Sequence, residues 1–182
     1  MLSLIAVATT AFAPPHPDAV GACIIMPTNG RPEFVHRALE MIAESTYPSD
    51  LVEIVVVDDS PAPLRLTNAS AYPSLIYVPT CCNVSVGAKR NIAVAHCSEA
   101  AEVVVHWDDD DFYVPHRVRA QVSPILAGEA GLTALRLSHL MAMPMRDVYE
   151  SMDRDVVLWA SLAYRASLGR ELSFANVSLG ED

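Results

Sequence analysis

The sequence contains no CxxC pair, no Cys/His spacing of the kind that builds a zinc site, and no cluster of lysines and arginines. The first two absences remove a zinc-stabilised module from consideration. The four cysteines are Cys23, Cys81, Cys82 and Cys97. Cys81 and Cys82 are adjacent and poorly placed to pair with each other. Cys23 and Cys97 fall in apolar periodic segments and read as small buried hydrophobes, so no disulfide framework is expected. The lack of a basic face excludes general binding to nucleic acid: 12 Lys and Arg stand against 22 Asp and Glu, for a net charge of −10. No segment after the N-terminus is long and apolar enough to be a membrane span. Internal repeats and low-complexity stretches are missing as well. What is abundant is apolar residues, 52% of the chain's 182 residues, with 19% charged. That balance is the mark of one globular domain with a real core.

The opening MLSLIAVATTAFA is apolar but too short to cross a bilayer. It ends in Ala11-Phe12-Ala13, a small-x-small pattern like a signal-peptidase site, yet lacks a basic stretch before it. Residues 1–19 therefore read as a tail or a targeting segment, and residues 20–182 as the domain. A cleaved signal would place the protein in the secretory pathway or an organelle; otherwise it is cytoplasmic. The N-x-S sequences at Asn68, Asn83 and Asn176 matter only in the first case.

Beyond PPHPD, ACIIMPT (22–28) reads as a fully buried strand and NGRP as a turn. A helix begins at Pro32, with Phe34, Val35, Ala38, Leu39 and Ile42 on its apolar face. LVEIVVVDD (51–59) is a second buried strand and SLIYVP (74–79) a third. Ser85 to Cys97 is helical, AEVVVHW (101–107) is a fourth strand, and Pro115 to Ala127 is helical again. GLTALRLSHLMAM holds one strand or two; residues 155–168 start strand-like and turn helical. The fold class is α/β, with a mainly parallel central sheet covered on both faces.

Ligands of such sheets bind outside the carboxyl ends of the strands. Three polar clusters fall at that edge: Pro27-Thr28-Asn29, Asp58-Asp59, and the run Asp108 to Asp111. Four adjacent carboxylates repel one another, so the run needs a reason. Asp108 and Asp110 have the D-x-D spacing that suits a hard divalent ion sharing its remaining positions with phosphate oxygens. The plainer alternative is an acidic turn before the helix near Pro115. An EF-hand is excluded, since Gly at the sixth position and the late Glu are missing. Asp58 and Asp59 end their strand as a base- or ribose-binding acid would, or else as an Asx turn before Pro61. Lys89 and Arg90 open a helix whose N-terminus could meet a diphosphate, or are an ordinary exposed pair. His106 and His116 flank the acids and read as structural. Trp107 and Trp159 read as core or pocket wall.

Four segments taken in order resemble family 2 glycosyltransferases of GT-A fold: CIIMPTNGRPEFVHRALEMIAESTYP, IVVVDDS, VGAKRNIAVAHC and VVVHWDDDDFYVPHRV. The ending NVSLGED is similar to the family's Glu-Asp motif. The resemblance runs from about residue 21 to the end. It implies a Rossmann-like three-layer sandwich that moves a sugar from a nucleotide-diphosphate sugar to an acceptor hydroxyl, with inversion. By position, Thr28 and Asp59 contact the nucleoside, with Asp58 nearby and Asp109 among the donor contacts. Asp110 ligates Mn²⁺ or Mg²⁺ on the diphosphate. Asp108 acts through the ribose or the metal shell. Lys89 and Arg90 are donor-phosphate candidates. Asp182 is the general base, with Glu181 beside it. Asn29 departs from the aromatic residue common at its position. The family also continues past the Glu-Asp motif, so a C-terminally incomplete domain is expected.

Two alternatives remain beside transfer. One is a catalytically inactive nucleotide-binding module. The other is a nucleotidyltransferase, which would favour a Gly-rich basic loop after the first strand; Pro27-Thr28-Asn29-Gly30-Arg31 is not one.

Overall fold

Runs of β-branched residues make the centre of the sheet. The computed structural model describes residues 3–5, 21–66, 72, 74–81, 83–136, 139–142, 147–150 and 157–178. Strands β1 (Ser3–Ile5), β2 (Gly21–Thr28), β3 (Val52–Asp58), β4 (Leu75–Pro79), β5 (Ala101–His106), β6 (Leu132–Arg136) and β9 (Val157–Arg165) form one sheet of seven strands. Its order is β1-β6-β9-β5-β2-β3-β4. The half from β5 to β4 is parallel, and its inner strands β5, β2 and β3 carry the valine and isoleucine runs buried on both faces. The half built from β9, β6 and β1 is antiparallel. Strands β7 (His139–Ala142) and β8 (Asp147–Glu150) form a separate antiparallel pair. The 131–142 segment is thus two strands, and β9 does run into a helix.

Helices α1 (Pro32–Ala43), α2 (Val86–His96), α3 (Arg117–Leu126) and α4 (Ala166–Glu171) cover the faces. Side chains alternate across a strand, and β2 shows it. Ala22, Ile24 and Met26 pack in one core with Val35, Leu39 and Ile42 of α1 and Val118, Val122 and Ile125 of α3. Cys23 and Ile25 pack in the other, with Ala93 and Val94 of α2 and Ala166 of α4. The layers are helix, sheet, helix, which is the expected three-layer sandwich.

One expectation is corrected here. Cys23 and Cys97 are not independent small hydrophobes; they form a disulfide between β2 and the C-cap of α2. They lie 74 residues apart in sequence, and only the docking of α2 on β2 brings their Cα atoms to 5.9 Å. Cys81 is free and exposed.

Register fixes the functional edge. Thr28 pairs with Asp58 across β2 and β3. Ile25 pairs with His106 across β2 and β5, an offset of 81 residues. Continued by three residues, the same offset sets Thr28 level with Asp109, where a side-chain hydrogen bond of the same 81-residue separation takes over from the ladder. All three polar clusters therefore end at one edge. His106 is buried, with Nε2 3.2 Å from the Tyr164 hydroxyl and its ring against Tyr164 and Phe174. Trp107 is core.

Candidate functional site

The turn between β2 and α1 brings the first cation to the edge. Gly30 adopts φ +64°, the left-handed region glycine accepts without penalty. The next residue, Arg31, precedes the helix-opening Pro32 and turns back over the acid run. Its Nη2 lies 2.6 Å from Asp109 Oδ1 and its Nη1 2.9 Å from Asp110 Oδ2. Asp109 also accepts a 2.6 Å hydrogen bond from Thr28 Oγ1. Its side chain is fully buried, whereas Asp110 keeps 47% of its side chain exposed. Of this pair, Asp110 is the carboxylate open to a ligand.

The rest of the run is held differently. Asp108 receives Arg90 Nη2 at 3.1 and 3.3 Å on its two oxygens. Asp111 accepts from the Tyr113 hydroxyl at 2.7 Å. Behind them lies a buried cation, Arg117, stacked on the Tyr113 ring at 3.5 Å and the Trp107 ring at 4.7 Å. It donates to the His106 carbonyl at 2.5 Å and to Gln121 Oε1 at 2.9 Å. Burial pushes the carboxyls of Asp108, Asp109 and Asp111 up, Asp109 to about 6. Mutual repulsion adds to that, while Arg90, Arg31 and the hydroxyl donors oppose it. The chain tolerates four acids because three guanidinium groups surround them.

The two acids at the end of β3 separate in role. Asp59 Oδ1 lies 2.8 Å from Lys89 Nζ, and the same ammonium donates to the Thr28 carbonyl at 3.0 Å. Asp59 Oδ2 accepts from Val84 N at 2.9 Å. Asp58 accepts instead from Ser60 N, Ser60 Oγ and the Tyr77 hydroxyl. Burial raises its carboxyl, but those bonds outweigh burial and hold it below 3.8. Asp58 thus organises the β3 exit against β4.

Beside these groups lies a cleft of about 250 Å³, lined among others by Thr28, Asn29, Arg31, Val86, Lys89 and Asp108. Among the described residues no group of three or more His, Cys, Asp or Glu converges as a metal cage. The described residues offer at most the two carboxylates of D-x-D. That set fits a hard cation completed by phosphate oxygens and water, and does not fit an all-protein cage.

One expected contact is closed off. The N-terminus of α2 does not face the cleft with free N–H groups. Val86 N donates to Ser178 Oγ at 3.3 Å, Gly87 N to the Val177 carbonyl at 3.3 Å, and Ala88 N to its N-cap Ser85 Oγ at 3.1 Å. A segment remote in sequence has capped the helix. A Cβ on Gly87 would lie 2.0 Å from the Ala175 carbonyl oxygen, so only glycine permits that approach. Asn91 completes the contact, exchanging two hydrogen bonds with the Phe174 backbone. Asp182 and Glu181 lie outside the described residues.

Sequence reasoning singled out neither Arg31 nor Arg117 nor Tyr77. The signal for Arg31 was present, a basic residue between a turn glycine and a helix-opening proline. Arg117 and Tyr77 carried no signal, because each acts through a partner brought near by packing.

A family model described as Glycosyl transferase family 2 matches residues 23–143. No curated protein matches the sequence. Among solved structures, Staphylococcus aureus TarS 1–349 is similar at 22% identity, over 83% of this chain and 48% of that one, with a TM-score of 0.61. The same protein in complex with UDP-GlcNAc is similar at 22% identity, over 83% and 47%, with a TM-score of 0.62. The mannosyltransferase PcManGT from Pyrobaculum calidifontis, in complex with GDP-Man and Mn²⁺, is similar at 19% identity, over 93% and 52%, with a TM-score of 0.66. These likenesses are of fold, the GT-A arrangement. The chain spans about half the length of these structures.

Proposed function

The chain belongs to glycosyl transferase family 2, and from that premise we propose that it is the donor-binding part of a glycosyltransferase, moving a sugar from a nucleotide-diphosphate sugar to an acceptor hydroxyl. The observation that carries this reading is the convergence of Thr28, Asp59 and the acid run at one sheet edge, tied together by the Thr28–Asp109 and Lys89–Asp59 contacts, beside a cleft that Thr28, Arg31, Lys89 and Asp108 line. The complexes of the similar structures with UDP-GlcNAc and with GDP-Man and Mn²⁺ support the ligand class.

In this reading Asp59 and Thr28 face the nucleoside, held in place by Lys89. Asp110, half exposed, and Asp108 offer oxygens to Mn²⁺ or Mg²⁺. Such an ion offsets charge developing on the departing nucleoside diphosphate. Arg31 and Arg90 supply further positive charge at the same place. Transfer also needs a carboxylate to accept the proton of the attacking hydroxyl, and Asp182 is the proposed base. Ser178, four residues earlier, packs on Val86 at the cleft wall, and four residues reach at most about 14 Å. A general base opposite the leaving group is the arrangement of an inverting transfer.

The second reading is a module that binds donor without completing transfer. Calorimetric titration with UDP, GDP, CDP and dTDP, each with and without Mn²⁺, tests the donor site. Metal-dependent binding of one nucleotide, lost in Asp110→Ala, is the expected result. No binding by a cooperatively folding chain overturns it. Asp182→Asn is expected to keep nucleotide binding and to abolish any transfer; unchanged transfer removes the base assignment.

A further inference from the structure

Arg31 is placed where a cation on the acid run would have to be. Its guanidinium spans two carboxylates, Nη2 on Asp109 Oδ1 at 2.6 Å and Nη1 on Asp110 Oδ2 at 2.9 Å. The two contacts differ in kind. Asp109 is buried and bound a second time, by Thr28. Asp110 is half exposed, and its ion pair with Arg31 is solvent-facing. A surface-facing pair is worth little, so the Asp110 contact is the one that can be exchanged.

A divalent ion ligated by Asp110 and the Arg31 guanidinium repel each other at contact distance. They cannot share that oxygen without an additional anion. A diphosphate supplies one. Arg31 lines the same cleft and keeps 39% of its side chain exposed, so its fork can turn from a carboxylate to a phosphate, for which its geometry is equally suited. We propose that Arg31 and the divalent cation compete for Asp110, and that the donor's diphosphate relieves the competition by taking the guanidinium. The cation then binds weakly by itself and firmly with nucleotide. Linkage requires the reciprocal, so nucleotide affinity rises with metal by the same factor. This rests on the donor-site reading above and adds to it a residue and a binding order.

The test compares wild type with Arg31→Gln and Arg31→Lys. Mn²⁺ binding is read by the loss of the free-ion paramagnetic resonance signal, first with Mn²⁺ alone, then with UDP, GDP, CDP or dTDP. Arg31→Gln is expected to bind Mn²⁺ alone about tenfold more tightly, and the enhancement by nucleotide is expected to shrink by a similar factor. Arg31→Lys keeps the charge and is expected to stay near wild type. Tighter metal binding is a gain that structural damage does not produce. Equal Mn²⁺ affinity in wild type and Arg31→Gln, with nucleotide binding still metal-dependent, overturns the competition and leaves the donor site standing. No Mn²⁺ binding by any of the three, with or without nucleotide, while each melts cooperatively, overturns both.

Discussion

Lys89 Nζ lies 2.8 Å from Asp59 Oδ1, and both side chains are almost entirely buried. The pair locks α2 to the end of β3, and through the Thr28 carbonyl to the end of β2. Removing one partner of a buried pair leaves an uncompensated charge. Lys89→Met is expected to lower stability by about 3–5 kcal/mol. The double variant Lys89→Met/Asp59→Asn is expected to lose less than the sum of the single losses. Urea unfolding of the four proteins measures both; additive losses would show that the pair is not coupled.

Asp58 and Tyr77 make the fold sensitive to pH at both extremes. Burial raises the Asp58 carboxyl, but bonds from Ser60 and Tyr77 prevail and hold it below 3.8. The native state then binds fewer protons than the unfolded chain, so this contribution is present above about pH 4 and lost as pH falls through the folded value. Burial, with the bond to Asp58, pushes the Tyr77 phenol up from 10.0 to about 12. Between those values the native state keeps a proton the unfolded chain releases, so stability falls as pH rises through that window. Tyr77→Phe is expected to flatten the alkaline slope and to weaken the acid one, as read from unfolding midpoints against pH.

The Cys23–Cys97 disulfide closes a long loop across the sheet and α2. Thiol titration of the denatured chain is expected to find two fewer free thiols without reductant than with it. Reduction, or Cys23→Ala with Cys97→Ala, is expected to cost about 2–5 kcal/mol. Equal thiol counts before and after reduction would refute the bond.

Gly87 admits the Ala175 carbonyl to the start of α2. Gly87→Ala puts a methyl into that carbonyl and must push the 174–178 segment away. A loss of about 1–3 kcal/mol is expected. Hydrogen exchange at Gly87 and Phe174 is expected to speed up far more than exchange at Val104 in β5. Uniform change across all three would mean that the contact is not local.

Much of the architecture was legible because its cause is local. VVVDD and VVVHWDDDD announce buried strands that end in acids, and a parallel sheet sends such ends to one edge. Pro32 and Ser85 mark their helix starts for reasons of backbone geometry and capping. The convergence of Thr28, Asp59 and Asp108 to Asp111 followed from strand order alone. Local pattern could not show what each acid would meet. Asp58 ends β3 and Asp59 follows it directly, yet alternation sends one to Tyr77 and the other to Lys89.

The amino-acid order by itself determined the central elements from β2 to α3, their α/β sequence and the family, since these depend on periodicity, turn residues and spacing within short windows. Tertiary structure alone decided the partners. It paired Cys23 with Cys97, gave the N-terminus of α2 to Ser178 and Val177, and set Arg31 on Asp109 and Asp110. Each of these depends on distances between residues far apart in the chain. Such distances are fixed by register and helix docking, which no short stretch of sequence encodes.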